Sequence, residues 1–332
     1  MRPTAGDPAR LPQRAALSIF LAVIGLLPLA LPNRYYLNVM VFAGIHALLT
    51  IGLNLVMGYT GQISLGHAAF YGLGAYGSGV LTAKYGLDPW VAMLAALALS
   101  LVVALVIAMP SLHLEGYYLG MATLGFGIIL NILFVELGWL TGGPSGLVGI
   151  PELSVLGIGL NTDLRYYYLV WTVVGVVVLF SFNLVESRVG RALRAIQGDE
   201  TAATLVGINT WMAKVRIFVT AAGIASIAGS LYAHYVTFLS PSSFGFGFSI
   251  ELVVMVIVGG MRSIWGSLFG ALLLTVLPEY LRALKDYDIL VYGLVVISVV
   301  MFVPSGMAGT LEQRLTRRRL ATRLRAAASA RP

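Results

Sequence analysis

Four histidines, His46, His67, His113 and His234, are the residues of this sequence best able to carry acid–base or metal chemistry. No two of them lie four apart, and no acidic cluster accompanies them, whereas a metal site needs several close ligands. There is no cysteine, which removes thiolate ligands, disulfides and Cys nucleophiles together. His113 and Glu115 could pair as acid and base, but residues two apart on a helix face different directions, and no nucleophile stands near them. No G-x-x-x-x-G-K-[ST] phosphate loop occurs, so any ATP must bind elsewhere. The sequence predicts no enzyme, no metal and no cofactor. Its remaining polar chemistry is dispersed through apolar runs, and Glu251, just before "LVVMVIVGG", is its most conspicuous member. An ionisable residue within a membrane is a functional candidate by default, against the alternative of a structural ion pair or hydrogen bond.

The elements that carry these residues are apolar almost throughout. The chain is 58% hydrophobic and 11% charged, with a mean hydropathy of +0.89, where soluble domains carry about a quarter charged residues. Such a chain must face lipid or other buried helices. The net charge of +7 reads as membrane topology, because the basic residues lie between apolar spans and cytoplasmic loops hold excess Lys and Arg. Nucleic-acid binding is not expected. Arg2, Arg10 and Arg14 precede an apolar run of about 18 residues. That run exceeds a signal peptide's apolar core and lacks an A-x-A-like site, so it reads as a retained first helix.

A helix needs about 20 mostly apolar residues to cross a bilayer. Candidate spans fall at 15–32, 37–57, 63–83, 90–110, 117–137, 166–185, 215–236, 246–261, 264–281 and 288–304. The runs are continuous rather than alternating, which favours helices over a barrel. The predicted fold is an all-α polytopic membrane helix bundle of about ten transmembrane helices, some broken or re-entrant, with both ends cytoplasmic. Residues 1–14 would form a cytoplasmic segment, 15–310 the transmembrane domain and 311–332 a basic cytoplasmic tail. Charge supports this topology. Only Arg34, Lys84, Arg165, Arg282 and Lys285 fall outside, while Arg188, Arg191, Arg194, Lys214, Arg216, Arg262 and the arginines of both termini fall inside. The third span is rich in glycine, and "VGGMRSIWGS" leaves only a tight turn between the eighth and ninth.

Two long loops remain, a glycine-rich one at 138–165 outside and a second at 186–214 inside. In the inner loop "RALRAI" predicts a short basic helix, broken at Gly198. Asp199 is then placed to N-cap a second helix with Glu200 in its first turn, and Gly207 to end it. This pair could be a plain surface connector, or it could dock into a groove of a soluble partner.

Within that loop, "ETAATLVG" with Glu200, Ala202, Ala203 and Gly207 resembles the Glu-Ala-Ala-x-x-x-Gly loop of ABC importer permeases. More specifically, "GRALRAIQGDETAATLVGIN" resembles that of the branched-chain amino-acid permease family, of LivM type. "GYTGQISLGHAAFYGLGAY" (58–76), "GYYLGMATLGFG" (116–127), "TGGPSGLVGIP" (141–151), "GGMRSIWGSLFGA" (259–271) and "VPSGMAG" (303–309) match further family patterns in order. The likeness covers roughly 38–310. Arg262 departs from it where the family commonly has glycine, and Thr201 where a small or aliphatic residue is frequent.

The resemblance implies an import permease of the bacterial inner membrane for branched-chain or related amino acids, with no ATP site of its own. Its implied partners are a second homologous permease subunit, two cytoplasmic ATP-binding subunits and a periplasmic or lipid-anchored substrate-binding protein. The 199–207 helix would be the coupling helix, with Arg191, Arg194, Asp199, Glu200, Ala202, Ala203 and Gly207 at the ATPase contact. A zwitterion with an aliphatic side chain suits uncharged polar groups and broken-helix ends. This makes Asn54, Gln62, Ser64, His67, Thr123, Asn131 and Glu251 the candidates for the translocation path, against a plain role in interhelical hydrogen bonding. A urea or short-chain amide permease is the near alternative. An ion-coupled secondary transporter is the distant one, and would call for mid-membrane carboxylates and inverted repeats.

Overall fold

The computed structural model describes residues 18–20, 22–28, 33–114, 116–155, 158–281 and, between 290 and 306, residues 290, 291, 293, 294, 297, 298, 301 and 306. Ten helices of six or more residues organise the continuous part. They are α1 (Arg34–Thr60), α2 (His67–Ala83), α3 (Pro89–Ser111), α4 (Gly116–Glu136), α5 (Asp163–Glu186), α6 (Arg188–Gly198), α7 (Glu200–Leu205), α8 (Thr210–Val236), α9 (Phe246–Gly259) and α10 (Ile264–Leu281). Six of these, α1, α3, α4, α5, α8 and α10, are long and apolar enough to cross a membrane. The shorter α2 and α9 occupy the expected third and eighth spans. Residues 18–20 and 22–28 of the first expected span are described and helical, whereas most of the tenth expected span, Glu115 and both terminal segments lie outside the described residues.

Local chemistry sets the helix starts. Asn33 accepts from the Tyr35 amide, Asp88 from those of Trp90 and Val91 with Pro89 at the first helical position, and Asn209 from Met212. Each satisfies amide donors that the helix itself cannot. Burial then sorts the helices. α1 is central, with every residue from Ala47 to Thr60 buried. α3 is peripheral and buries only Ala92, Ala96, Ser100, Ala104 and Ala108, a stripe of small residues four apart, while Leu94, Val102 and Val106 stay exposed. A face that apolar would be a liability in water, and small-residue stripes are how helices approach one another in lipid.

α2 and α8 pack with their backbones nearly touching. A Cβ on Gly74 would stand 2.1 Å from the Ser226 carbonyl oxygen, and one on Gly229 would stand 2.0 Å from that of Tyr71. Ser230 Oγ donates to the Gly74 carbonyl at 3.1 Å across the same crossing.

The structure corrects two boundaries. The third span does not begin at 63. α1 ends on Gly61, whose φ of 71° places it in the left-handed region, and residues 61–66 run without helix until His67 starts α2. The eighth span is a half-length helix. At 14 residues α9 is about 21 Å long, short of the ~30 Å apolar core of a bilayer. The chain enters the bundle before α9 begins, through a 3₁₀ turn at Pro241–Phe244, and Phe244 is buried among Tyr71, Tyr76 and Tyr232. At the same end, Leu147–Val148 pairs antiparallel with Phe238–Leu239, and Ser154–Val155 with Ile158–Gly159.

Candidate functional site

Two regions hold the predicted residues, and they differ in kind. The first is the break between α1 and α2. Gln62 and Ser64 are buried on the non-helical segment, and His67 is buried at the first position of α2. Thr123 of α4 closes over the segment. Its Oγ1 accepts the Leu65 amide at 3.0 Å and donates to the Gly120 carbonyl at 3.0 Å. A Cβ on Gly66 would lie 2.3 Å from the Thr123 carbonyl oxygen, so the two backbones pass in contact. From the other side, Ser249 at the start of α9 accepts the Ala68 amide at 3.3 Å. Among the described residues, neither amide atom of Gln62 has a partner, and His67 Nε2 has none. The structure therefore gathers Gln62, Ser64, His67 and Thr123 around one break, beside the half-helix that carries Glu251. Glu251 is half-buried and takes no hydrogen bond or ion pair among the described residues.

Asn54 and Asn131 stand apart from this group. Asn54 clamps α1 to the α9–α10 turn. Its Nδ2 donates to the Ser263 carbonyl at 3.0 Å and to Ser267 Oγ at 2.6 Å, and its Oδ1 accepts the Arg262 amide at 3.1 Å. Asn131 Nδ2 donates to the Pro241 carbonyl at 2.8 Å, tying α4 to the 3₁₀ turn. Both side chains are occupied in holding elements together. Arg262 itself adopts a φ of 70°, the left-handed region that favours glycine.

The second region is the platform formed by α6 and α7. α6 is amphipathic, with Gly190, Leu193 and Ile196 buried against the bundle. Arg191 and Arg194 turn back along the surface, donating to the carbonyls of Glu186 at 3.3 Å and Val185 at 3.0 Å near the end of α5. Asp199 joins the two helices, its Oδ1 accepting the Ala202 amide at 2.9 Å. Glu200 pairs with Lys214 of α8. Ala203 is buried while Ala202 is exposed, and Gly207 follows the helix with a φ of 84°.

Sequence reasoning missed the most prominent residues of the platform. Leu205 is 84% exposed and Val206 76%, side by side at the end of a short polar helix. An apolar pair directly before a helix-ending glycine was the available signal. Trp211 was missed as well. Its ring lies 5.5 Å from that of His113, joining the end of α3 to the start of α8.

Comparison with known proteins identifies the family. The model of the permease component of branched-chain amino acid transport systems matches residues 35–303. The high-affinity branched-chain amino acid transport permease LivM of Escherichia coli (strain K12) is 31% identical over 315 residues, covering 87% of this chain and 74% of the relative. BraD of Pseudomonas aeruginosa, a permease of the same transport class, is 28% identical over 80% of this chain and 92% of the relative. The autoinducer 2 import permease LsrC of Salmonella paratyphi B is 27% identical over 81% and 80%. No solved structure matches the chain.

Proposed function

The chain belongs to the branched-chain amino-acid transport permease family, and from that premise we propose that the α6–α7 platform is where separate ATPase subunits drive this ABC importer permease. The exposed Leu205–Val206 pair carries the reading. A surface connector has no use for two neighbouring aliphatic side chains held out by a capped helix, whereas a groove on a partner does. The platform is also well rooted. α6 packs on α1, α5 and α8, and Glu200 of α7 is tied to α8 through Lys214. A pull on α7 would thus move three spanning helices as a body, which suits rigid-body alternating access.

On this reading the platform end of the bundle is cytoplasmic. The transporter would contain a second homologous permease, two ATP-binding subunits and a substrate-binding protein on the opposite side of the bacterial inner membrane. The cargo would be a branched-chain (leucine, isoleucine or valine-type) or related amino acid. The break at 61–66, with Gln62, Ser64, His67 and Thr123, would form part of the path wall. ATP-driven leucine uptake into proteoliposomes holding the assembled complex tests the proposal, with the expected result that omitting the ATPase abolishes uptake. Full uptake by this chain alone without ATP would overturn it.

A further inference from the structure

The end of the bundle opposite α6–α7 contains a polar cavity of about 340 Å³, within the size range of small-ligand sites. Its walls come from the start of α1 (Asn38, Phe42), the start of α5 (Asp163), the end of α8 (His234, Tyr235) and the preceding loop (Glu152). A hydrogen-bond chain orders one side. Asn38 Nδ2 donates to Tyr235 Oη at 2.8 Å, and Tyr235 Oη donates to Asp163 Oδ1 at 2.9 Å. Asp163 Oδ2 takes no hydrogen bond among the described residues.

His234 is buried behind the same wall. The residue is 0% exposed, and its Nδ1 lies 2.7 Å from the Pro151 carbonyl. A carbonyl oxygen only accepts, so Nδ1 carries the ring proton and neutral Nε2 is left as a bare acceptor. Nε2 has no partner. Two carboxylates, Asp163 and Glu152, line the cavity, and among the described residues no Lys or Arg does. The nearest basic residue in sequence, Arg165, donates instead to the Gly159 carbonyl at 2.9 Å. A lining rich in acceptors and negative charge, with Phe42 supplying an apolar wall, calls for a ligand that brings N–H donors, positive charge and a small apolar body.

We propose that this cavity binds the primary ammonium group of a small aliphatic molecule. In transport it receives the α-ammonium of the amino acid before the cargo enters the bundle, a role that rests on the importer reading above. Asp163 and Glu152 supply the countercharge, and the Asn38–Tyr235 chain fixes the Asp163 carboxylate.

The test is saturation-transfer NMR on the assembled transporter in nanodiscs, with isopentylamine and 4-methylpentanoate as probes. Asp163→Asn keeps an oxygen for the Tyr235 hydroxyl while removing the charge, and Glu152→Gln alters an exposed loop position that the fold does not depend on. The expected result is saturable amine binding, weakened about tenfold by either substitution, and none for the acid. Amine binding unchanged in both variants, or acid binding equal to amine binding, would overturn the proposal. Leucine uptake on the same preparation separates the two readings. Charge-dependent amine binding without uptake supports the site and removes the importer role alone. Uptake with charge-independent amine binding removes the site alone.

Discussion

Replacing Leu205 and Val206 together by alanine isolates the platform's contact surface from its fold. Both side chains point away from the bundle, at 84% and 76% exposure, so neither contributes measurably to the packing of the isolated chain. The substitution deletes three carbons from Leu205 and two from Val206. At about 0.8 kcal/mol for each buried methylene, scaled by roughly four-fifths for the surface now exposed, complete burial by an ATPase subunit would yield about 3 kcal/mol. That corresponds to roughly a hundredfold in Kd for the ATPase, since about 1.4 kcal/mol is a factor of ten. The assay is titration of the purified ATPase subunit onto nanodisc-held permease, with thermal melting of the permease alone as the control for folding. We expect a weakening between tenfold and a hundredfold and an unchanged melt. Unchanged affinity would refute the docking argument, because no other pair of aliphatic side chains on α6 or α7 is comparably exposed.

Two further substitutions test the bundle itself. Gly74→Ala would force a Cβ to within 2.1 Å of the Ser226 carbonyl oxygen and should cost about 2 kcal/mol through displacement of α2 from α8, read as an earlier thermal transition in detergent. Gly125→Ala, where nothing lies within 4 Å, should leave that transition in place. Arg262→Gly should stabilise by about 0.5 kcal/mol, since a left-handed φ costs an L-residue roughly 1–2 kcal/mol, partly offset by glycine's greater freedom when unfolded. Arg262→Val should move the transition the other way.

What the sequence disclosed was what local chemistry controls. Asp199 and Gly207 were legible as cap and terminator because each acts on amides within three residues of itself. The α9–α10 turn was legible because Gly259 and Gly260 interrupt a continuous apolar run. The partner of Glu200 was not legible, since Lys214 reaches it only through the path of the intervening loop. Asn54 stood out as a polar residue in an apolar helix and so suggested a path-lining group. Its three hydrogen bonds instead go to residues more than 200 positions away, a role that no spacing in the sequence encodes. The small-residue stripe of α3 was written in the sequence at intervals of four, yet a uniformly apolar run hides which of its faces is covered.

The start of α2 shows why such boundaries escape sequence reasoning in a membrane. A non-helical stretch like 61–66 frees backbone amides that lipid cannot satisfy, so it is tolerated only where protein supplies acceptors. Here two hydroxyls do so, Thr123 for the Leu65 amide and Ser249 for that of Ala68. One comes from α4, and the other from the first turn of a helix that itself begins inside the bundle. The two irregular elements therefore support each other, since the α9 half-helix brings Ser249 to the place where α2 must start. Glycine at 61 and 66 permits the break, but Thr123 and Ser249 decide where it ends. That is why the reading from apolar length alone began the span at 63, four residues before the helix.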